Sequence, residues 1–481
     1  MSEPIKYTHL LRVEGVNHRN FIFDTTDLAT TRGGGLLLLR AAAQAAETAQ
    51  TAAVAQGATV TEISTGASSA LLAVVATGEQ QNQTVAAIGA AIRLELDSHP
   101  TYKHATFVID HIASTGNFRT DCEAVLAKNR HSQMRAPSVQ FPADVMADIC
   151  GVDYLRPAPS KGNSAAVVAR KHFGRDEKQR FYTRETNFDL QGRLFTNDFH
   201  EIADCKDRGN LHNKLAVFYA DGNSFGKHQR VVAPDLLKQW DTEIKRLRRE
   251  LLKVMMQDLI AQNDFTTHGK FRFETLLWGG DEMMFVMPAW RGLAFAQRFF
   301  ELTAKWDFNT NRLTHAAGLV FCHHNAPIRA VKFLAEDLAN YAKDAAGRCT
   351  NSINTVVLES FDHVGSSWEG YLNRVYVGKL SVAGRCLTAQ QFETLIRSVQ
   401  KLQNELPRAR VADFMQSLLN PNPTADTMRL AKERRDHDLV AALTTEIEKI
   451  DAVGPTCLLT GWSHCADLWD YVEATTERAT A

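Results

Sequence analysis

The chain has 481 residues, 44% hydrophobic and 23% charged, and its 54 lysines and arginines against 55 aspartates and glutamates leave a net charge of -1. That length allows several domains with sizeable cores, and the balance excludes a disordered chain or a surface coated in basic charge for indiscriminate nucleic-acid binding. No apolar run reaches the roughly 20 residues that span a bilayer, MSEPIKYTHL lacks a signal-peptide core, and the 8 cysteines lack paired spacing; a cytoplasmic protein with reduced thiols and no membrane contact is expected.

The first quarter of the chain reads as strand, helix, hairpin, helix, strand. The segments are LLRVEGVNHRNFIFDTTDLATTRGGGLLLLRAA, TVTEISTGASSALLAVVA, a helix from about Gln83 to Ser98, and HATFVIDHIAS. Arginine, glutamine and glutamate interrupt GLLLLRAAAQAAETAQTAAVAQ, which reads as a core-facing helix. The hairpin tip Thr65-Gly66-Ala67-Ser68 carries no acid. Asp24 and Asp27 follow the strand-like FIF run and read as a turn and a helix cap. In DICGVDYLRPAPS, Cys150 has no partner at metal-ligand spacing, and Cys122 and Cys205 are too isolated to complete a four-ligand set, so no zinc site is expected.

Next comes LAVFYADGNSFG, an apolar strand ending in Asp221 and a turn of Gly222, Asn223, Ser224, Phe225 and Gly226. From about Pro234 to Gln262, Trp240, Ile244, Leu247, Leu251 and Val254 recur at helical spacing, with the basic residues of KRLRRELLK on a solvated face. FRFETLL and MMFVMP then flank Trp278-Gly279-Gly280-Asp281-Glu282, a hairpin whose glycines permit a tight turn and whose tip presents acids. Either motif alone is an ordinary surface turn. Together and in order, they supply two carboxylates at strand ends, which is what a pair of magnesium ions needs for phosphoryl or nucleotidyl transfer.

Downstream, RGLAFAQRFFELTAKW reads as a helix, LTHAAGLVF as a buried strand, PIRAVKFLAEDLANYAK as a helix opened by proline, and INTVVLES as a strand. Cys322, His323 and His324 read as a loop after the buried strand in preference to a soft-metal cluster. Beyond Gly365 the chain reads as helical, with Phe392, Leu395, Val399, Leu402 and Leu406 on one stripe, a break at Pro421 and Pro423, and a second helical run.

The segment from about Lys214 to Ser360 resembles the nucleotidyl-cyclase palm shared by GGDEF diguanylate cyclases and the large polymerase-like subunit of type III CRISPR effector complexes. ADGNSFG, WGGDE, AGLVFCHHNAPI and AEDLANYAK, in that order, look more like the CRISPR subunit. GGDEF enzymes place a second Asp and a Lys in the first turn and a Phe after the acids; here Asn223 and Met283 depart from the guanine-specific pattern. The N-terminal quarter resembles the degenerate first palm of the same subunit, a partner completing the nucleotide pocket, and the Cys150 stretch resembles a metal-free remnant of its zinc ribbon.

The resemblance implies an α+β fold with two ferredoxin-like palm domains, the first degenerate, an α-helical linker and a C-terminal helical domain. The corresponding divisions are 1–118, 119–212, 213–365 and 366–481. Family members often begin with an HD nuclease domain, whereas this chain opens almost directly on the first palm, so DNase activity is not expected. Asp221 and Asp281 are expected to hold Mg2+ or Mn2+, with Glu282 assisting. Backbone amides from Gly222 through Asn223, Ser224 and Phe225 to Gly226 would cradle the β- and γ-phosphates, beside Gly279 and Gly280 of the tip. Lys343 either reaches the triphosphate or is an ordinary surface lysine.

ATP is the implied substrate and cyclic oligoadenylate the implied product, in antiviral defence. Implied partners are effector subunits with guide and target RNA, or a second copy of the chain, and a downstream nucleotide-activated effector. A silent nucleotide-binding scaffold, a template-dependent or terminal nucleotidyltransferase and a cyclic-dinucleotide synthase remain open.

Overall fold

A computed structural model describes residues 5–137, 148–158, 162–187, 192, 194–233, 236–359, 364–365, 367–419 and 457–473. The expected helix start at Pro234, Ser360, the break at Pro421 and Pro423 and most of the helical run beyond it lie outside the described residues. The chain divides into two compact units. The first comprises Met1–Asp198, Ser224–Gln257 and Thr275–Met283; the second comprises Phe199–Asn223, Asp258–Glu274 and Met284–Ala481.

The first unit begins with β1 (His9–Gly15), α1 (His18–Ile22), α2 (Leu28–Ala55), β2 (Thr59–Gly66), β3 (Ser69–Val75), α3 (Gln81–Ser98) and β4 (Phe107–Ala113). The strands form an antiparallel sheet in the order β2-β3-β1-β4, with Leu10 opposite Ala73 and Ile112. Leu10, Ile63, Leu71 and Ala73 are buried together with Val125 of α4 (Phe118–Arg135). A short ribbon of β5 (Asp148–Ile149) and β6 (Pro157–Ala158) leads to α5 (Ala165–Thr186), which Ser164 caps by accepting from the Val167 amide at 3.3 Å. Cys150 lies in a small apolar cluster with Ala158 and Val167.

Helices α2 and α5 touch backbone to backbone. A Cβ on Gly33 would lie 1.8 Å from the Arg170 carbonyl oxygen, and one on Gly174 2.2 Å from that of Ala29. The glycines of TTRGGG therefore serve close approach, although each costs a helix about 1 kcal/mol relative to alanine. Asp27 caps α2, accepting from the Thr30 amide at 2.9 Å. FIF is not a strand: Phe21 and Ile22 are buried in α1, where the Phe21 carbonyl accepts from Arg170. Nor is Asp24 a simple turn residue, because Arg156 and Arg170 both ion-pair with its carboxylate.

The second unit holds α6 (Phe199–Ala203) and β7 (Lys214–Gly222). The chain then forms α7 (Phe225–Val231), α8 (Leu237–Ala261) and the hairpin β8 (Glu274–Gly279) and β9 (Glu282–Pro288), elements that lie wholly or partly in the first unit. It continues with α9 (Gly292–Thr303), the ribbon β10 (Asp307–Phe308) and β11 (Asn311–Arg312), β12 (His315–His323), α10 (Ile328–Ala345), β13 (Ser352–Val357) and α11 (Trp368–Val375). Last come β14 (Cys386–Thr388), α12 (Ala389–Glu405), α13 (Arg408–Leu419) and α14 (Cys457–Leu468).

The larger sheet has the order β14-β13-β12-β7-β9-β8, and its inner run β12-β7-β9-β8 repeats the last-first-third-second order of the smaller sheet. Strand β7 is apolar from Leu215 to Ala220 because both faces are covered there, and those residues are buried. The strand β12 runs on through Cys322 and His323, correcting the expected loop, since those residues continue the ladder opposite Leu215 and Lys214. A further correction is β14, found in a segment read as helical; it extends the sheet through pairs such as Ile353 with Leu387. The stripe Phe392, Leu395, Val399, Leu402 and Leu406 is buried as its spacing requires. No described helix is long and apolar enough to cross a membrane.

Candidate functional site

In the second unit, β7 carries Asp221 to the end of a ladder in which it faces Ala316 of β12. The half-buried Asp221 carboxylate accepts from the Lys343 ammonium, which also donates to the Gly222 carbonyl at 3.1 Å. Lys343 is only 5% exposed in the last turn of α10, so it is no ordinary surface lysine. Its ammonium thus meets two acceptors at the carbonyl-rich end of the helix.

Asn223 follows as a buried bracket. Its amide donates to the Thr314 carbonyl at 2.7 Å, and its side-chain nitrogen donates to Thr314 Oγ1 and the Thr350 carbonyl, each at 3.0 Å. The expected phosphate cradle is therefore one amide shorter, since that of Asn223 is committed to the protein. Its Oδ1 is buried with no hydrogen-bond partner. Next door, the His315 amide donates to Asn351 Oδ1 at 2.7 Å, and the ring lies edge-on to Phe299 and Trp306. Burial, reinforced by the Lys343 charge, pushes the His315 pKa down to about 3, so this ring stays neutral in ordinary buffers.

The rest of the expected site lies in the first unit. Ser224 adopts the left-handed conformation (φ 59°) and leads into Phe225 and Gly226 of α7, with Phe225 edge-on to Trp240. Of the tip residues, Gly280 has φ 59° and Asp281 and Glu282 are half-buried. Gly279 abuts the acid-free tip between β2 and β3: a Cβ there would lie 2.4 Å from Ala67 Cα. A cavity of about 60 Å³ beside this contact is lined in part by His18, Ser68, Trp278 and Glu282.

Helix α8 reaches both tips. Lys245 donates to Thr65 Oγ1 at 2.7 Å, and Arg248 donates to the Gly280 carbonyl at 3.0 Å while its guanidinium lies 5.3 Å from the Trp278 ring centroid. The Trp278 indole donates to Glu185 at 3.1 Å. Arg248 is 5% exposed, contrary to the solvated face expected for KRLRRELLK, and burial holds its pKa below the usual guanidinium range. The spacing contains the signal: Arg248 stands four residues after Ile244 and eight after Trp240, inside the apolar stripe.

The structure thus brings Asp221, Gly222, Asn223 and Lys343 together in one unit, and Gly279, Gly280, Asp281 and Glu282 together in the other, which also holds Ser224, Phe225 and Gly226. Among the described residues, no group of at least 3 His, Cys, Asp or Glu side chains is gathered as a metal cage. Magnesium at nucleotide sites does not require one, because one or two carboxylates with water and phosphate oxygens suffice.

No protein-family model and no curated protein matches the chain. Solved structures do. The chain is similar to Csm1 in T. onnurineus with a TM-score of 0.57 and 13% identity, over 97% of this chain and 70% of that one. It is similar to the Csm1-Csm4 cassette in complex with cA4 with a TM-score of 0.56 and 12% identity, over 97% of this chain and 70% of that one. The cassette in complex with pppApA gives 0.56 and 12%, over 98% of this chain and 70% of that one. Identity this low carries the fold and not the activity.

Proposed function

We propose that the chain is a metal-dependent nucleotidyl cyclase that joins ATP into cyclic oligoadenylate, as the palm-bearing subunit of a type III-like CRISPR system. The observation that carries this reading is the carboxylate of Asp221, set at the end of a buried strand with the Lys343 ammonium upon it. A fold shared with structures of Csm1-Csm4 bound to ATP, pppApA and cA4 supports the substrate class. The two sheets with one strand order support the division into two palms, 1–118 and 213–365, with 119–212 as linker and 366–481 as helical domain.

Asp221 and Asp281 are the proposed metal carboxylates, and the chemistry of the donors fits: the Asp221 carboxylate and Gly222 carbonyl offer the hard oxygens that magnesium prefers. When bound, the metal would lower the pKa of a ribose 3′ hydroxyl and neutralise charge on the α-phosphate. With a divalent cation held at Asp221, Lys343 would be displaced from that carboxylate and its ammonium would be free to reach the triphosphate. Asn223 keeps the turn rigid through Thr314 and Thr350, while Ser224, Phe225 and Gly226 line the phosphate path, where Gly226 has open space at its Cβ position. Glu282 assists at the tip. The partners in this reading are a Csm4-like subunit, guide and target RNA, and a downstream nucleotide-activated effector.

The test is incubation of the purified chain with Mg2+ or Mn2+ and each ribonucleotide, alone and mixed, followed by mass spectrometry. Cyclic adenylates that vanish in Asp221→Ala and Asp281→Ala support the proposal. Metal-dependent ATP binding without product would point to an enzyme waiting for a partner subunit or target RNA, no binding at all to a scaffold, and consumption of GTP in place of ATP would make it a cyclic-dinucleotide synthase.

A further inference from the structure

We infer that Arg248 is a positioning residue for the acidic tip, and that together with Lys245 it clamps that tip to the acid-free hairpin of the same unit. The inference rests on the proposed nucleotidyl cyclase in naming Asp281 as the group served. Lys245 and Arg248 stand three residues apart on α8, so their side chains leave one face. Lys245 grips the acid-free hairpin: it donates to Thr65 Oγ1 at 2.7 Å and to Glu62 at 3.2 Å, and pairs with Asp241 at 2.7 Å. Arg248 grips the acidic tip at the Gly280 carbonyl, 3.0 Å away.

That carbonyl is the point of leverage. The Gly280 carbonyl and the Asp281 amide and Cα belong to one planar peptide, so a hydrogen bond on the oxygen fixes the plane from which the Asp281 side chain departs. Gly280 is the residue most in need of such restraint, since its left-handed φ of 59° lies where glycine moves freely. The fold accepts a cost for the contact: Arg248 is 5% exposed and its Nε is buried without a hydrogen-bond partner. The tip also packs on Ala67, where Gly279 leaves no room even for a methyl group. It is also held by a guanidinium that lies 5.3 Å from the Trp278 ring centroid.

The experiment compares wild type, Arg248→Met and Arg248→Lys as full chains, with thermal midpoints as controls. Hydrogen–deuterium exchange is read on the peptide spanning 276–283, and Mn2+ affinity by paramagnetic resonance of the free ion. A hydrogen bond from a charged donor is worth about 1.5–3 kcal/mol, so Arg248→Met should speed tip exchange and weaken Mn2+ by roughly ten- to a hundredfold. The turnover number should fall by a similar factor with the KM for ATP changed by less than about threefold, because the tip serves metal and transition state rather than nucleotide docking. Arg248→Lys should recover part of each loss.

A folded Arg248→Met whose tip exchange and Mn2+ affinity match wild type overturns the inference. If Arg248→Met does not fold, Arg248→Lys decides by the same two readings. Should Asp281→Asn leave Mn2+ binding unchanged, the metal reading of Asp281 falls, and tip exchange alone still decides whether Arg248 holds the hairpin.

Discussion

Replacing Lys343 by methionine should tighten metal binding, although it removes a residue assigned to the active site. Lys343 and Asp221 form a pair whose side chains are 6% and 20% exposed, and the ammonium occupies the oxygens that a divalent cation would use. A charge-assisted contact of this kind contributes about 1.5–3 kcal/mol net, which a metal must displace; removing it should lower the Kd for Mn2+ in the absence of nucleotide by about tenfold or more. The same substitution leaves a carboxylate without its counter-ion, so the metal-free variant should melt below wild type, and millimolar Mn2+ should restore the midpoint by mass action. ATP affinity at saturating metal should weaken if Lys343 reaches the triphosphate as proposed. Titration of free Mn2+ by paramagnetic resonance, with and without ATP, reads both effects. Weaker or unchanged Mn2+ binding in Lys343→Met, with Asp221→Asn abolishing binding in parallel, would refute the idea that this lysine holds the place of the metal.

Two other substitutions test the frame around the site. His315, with its pKa pushed down to about 3, is neutral in the fold but takes up a proton near pH 6.5 when unfolded, so it contributes stability that is present above pH 6.5 and lost as pH falls toward 3. Its share is about 1.4 kcal/mol per pH unit, and urea unfolding of His315→Phe should show a slope against pH shallower by that amount; equal slopes would show that the ring titrates normally. Gly174→Ala places a methyl group 2.2 Å from the Ala29 carbonyl oxygen and should cost about 3 kcal/mol or more in urea unfolding. No cost, or the gain of about 1 kcal/mol that helix propensity alone gives alanine over glycine, would mean that α2 and α5 do not cross as closely as described.

The strands and the helices with a clean apolar stripe were legible because burial leaves a period of two or 3.6 in the sequence. Helix α10 illustrates this, opening after Pro327 with Ile328, Val331, Leu334, Ala335 and Leu338 on its buried face. Helix α5 was read only as linker, for a physical reason: Arg170, Gly174 and Lys178 stand at core positions, as an ion-pair partner, a close-approach glycine and a donor to the Thr196 carbonyl. A polar residue whose partner is remote in sequence looks like surface. The same holds for Arg248 and Lys343, whose partners lie 32 and 122 residues away. Strand β14 is only three residues long and exists because β13 offers it an edge. Residues that stand together in a short motif, such as Asp221 with Gly222 or Gly279 to Glu282, can be picked out from the sequence; contacts that depend on what the chain brings back to those motifs cannot.

The acid-free hairpin of the first unit is nonetheless closely constrained at its tip. Its tip offers Gly66, Ala67 and Ser68 where the other hairpin offers Gly279, Gly280 and Asp281, and the two are packed so closely that Ala67 Cα fills the space of a Gly279 side chain. Ala67 itself takes φ 50°, a conformation that a β-branched residue resists and that glycine or a small residue accepts. A larger residue there would press on the peptide that leads to Asp281. Thr65 beside it accepts from Lys245. The sequence of this tip is therefore restricted by shape and by one hydroxyl, and its worth to the chain lies in the surface it gives the acidic tip to rest on.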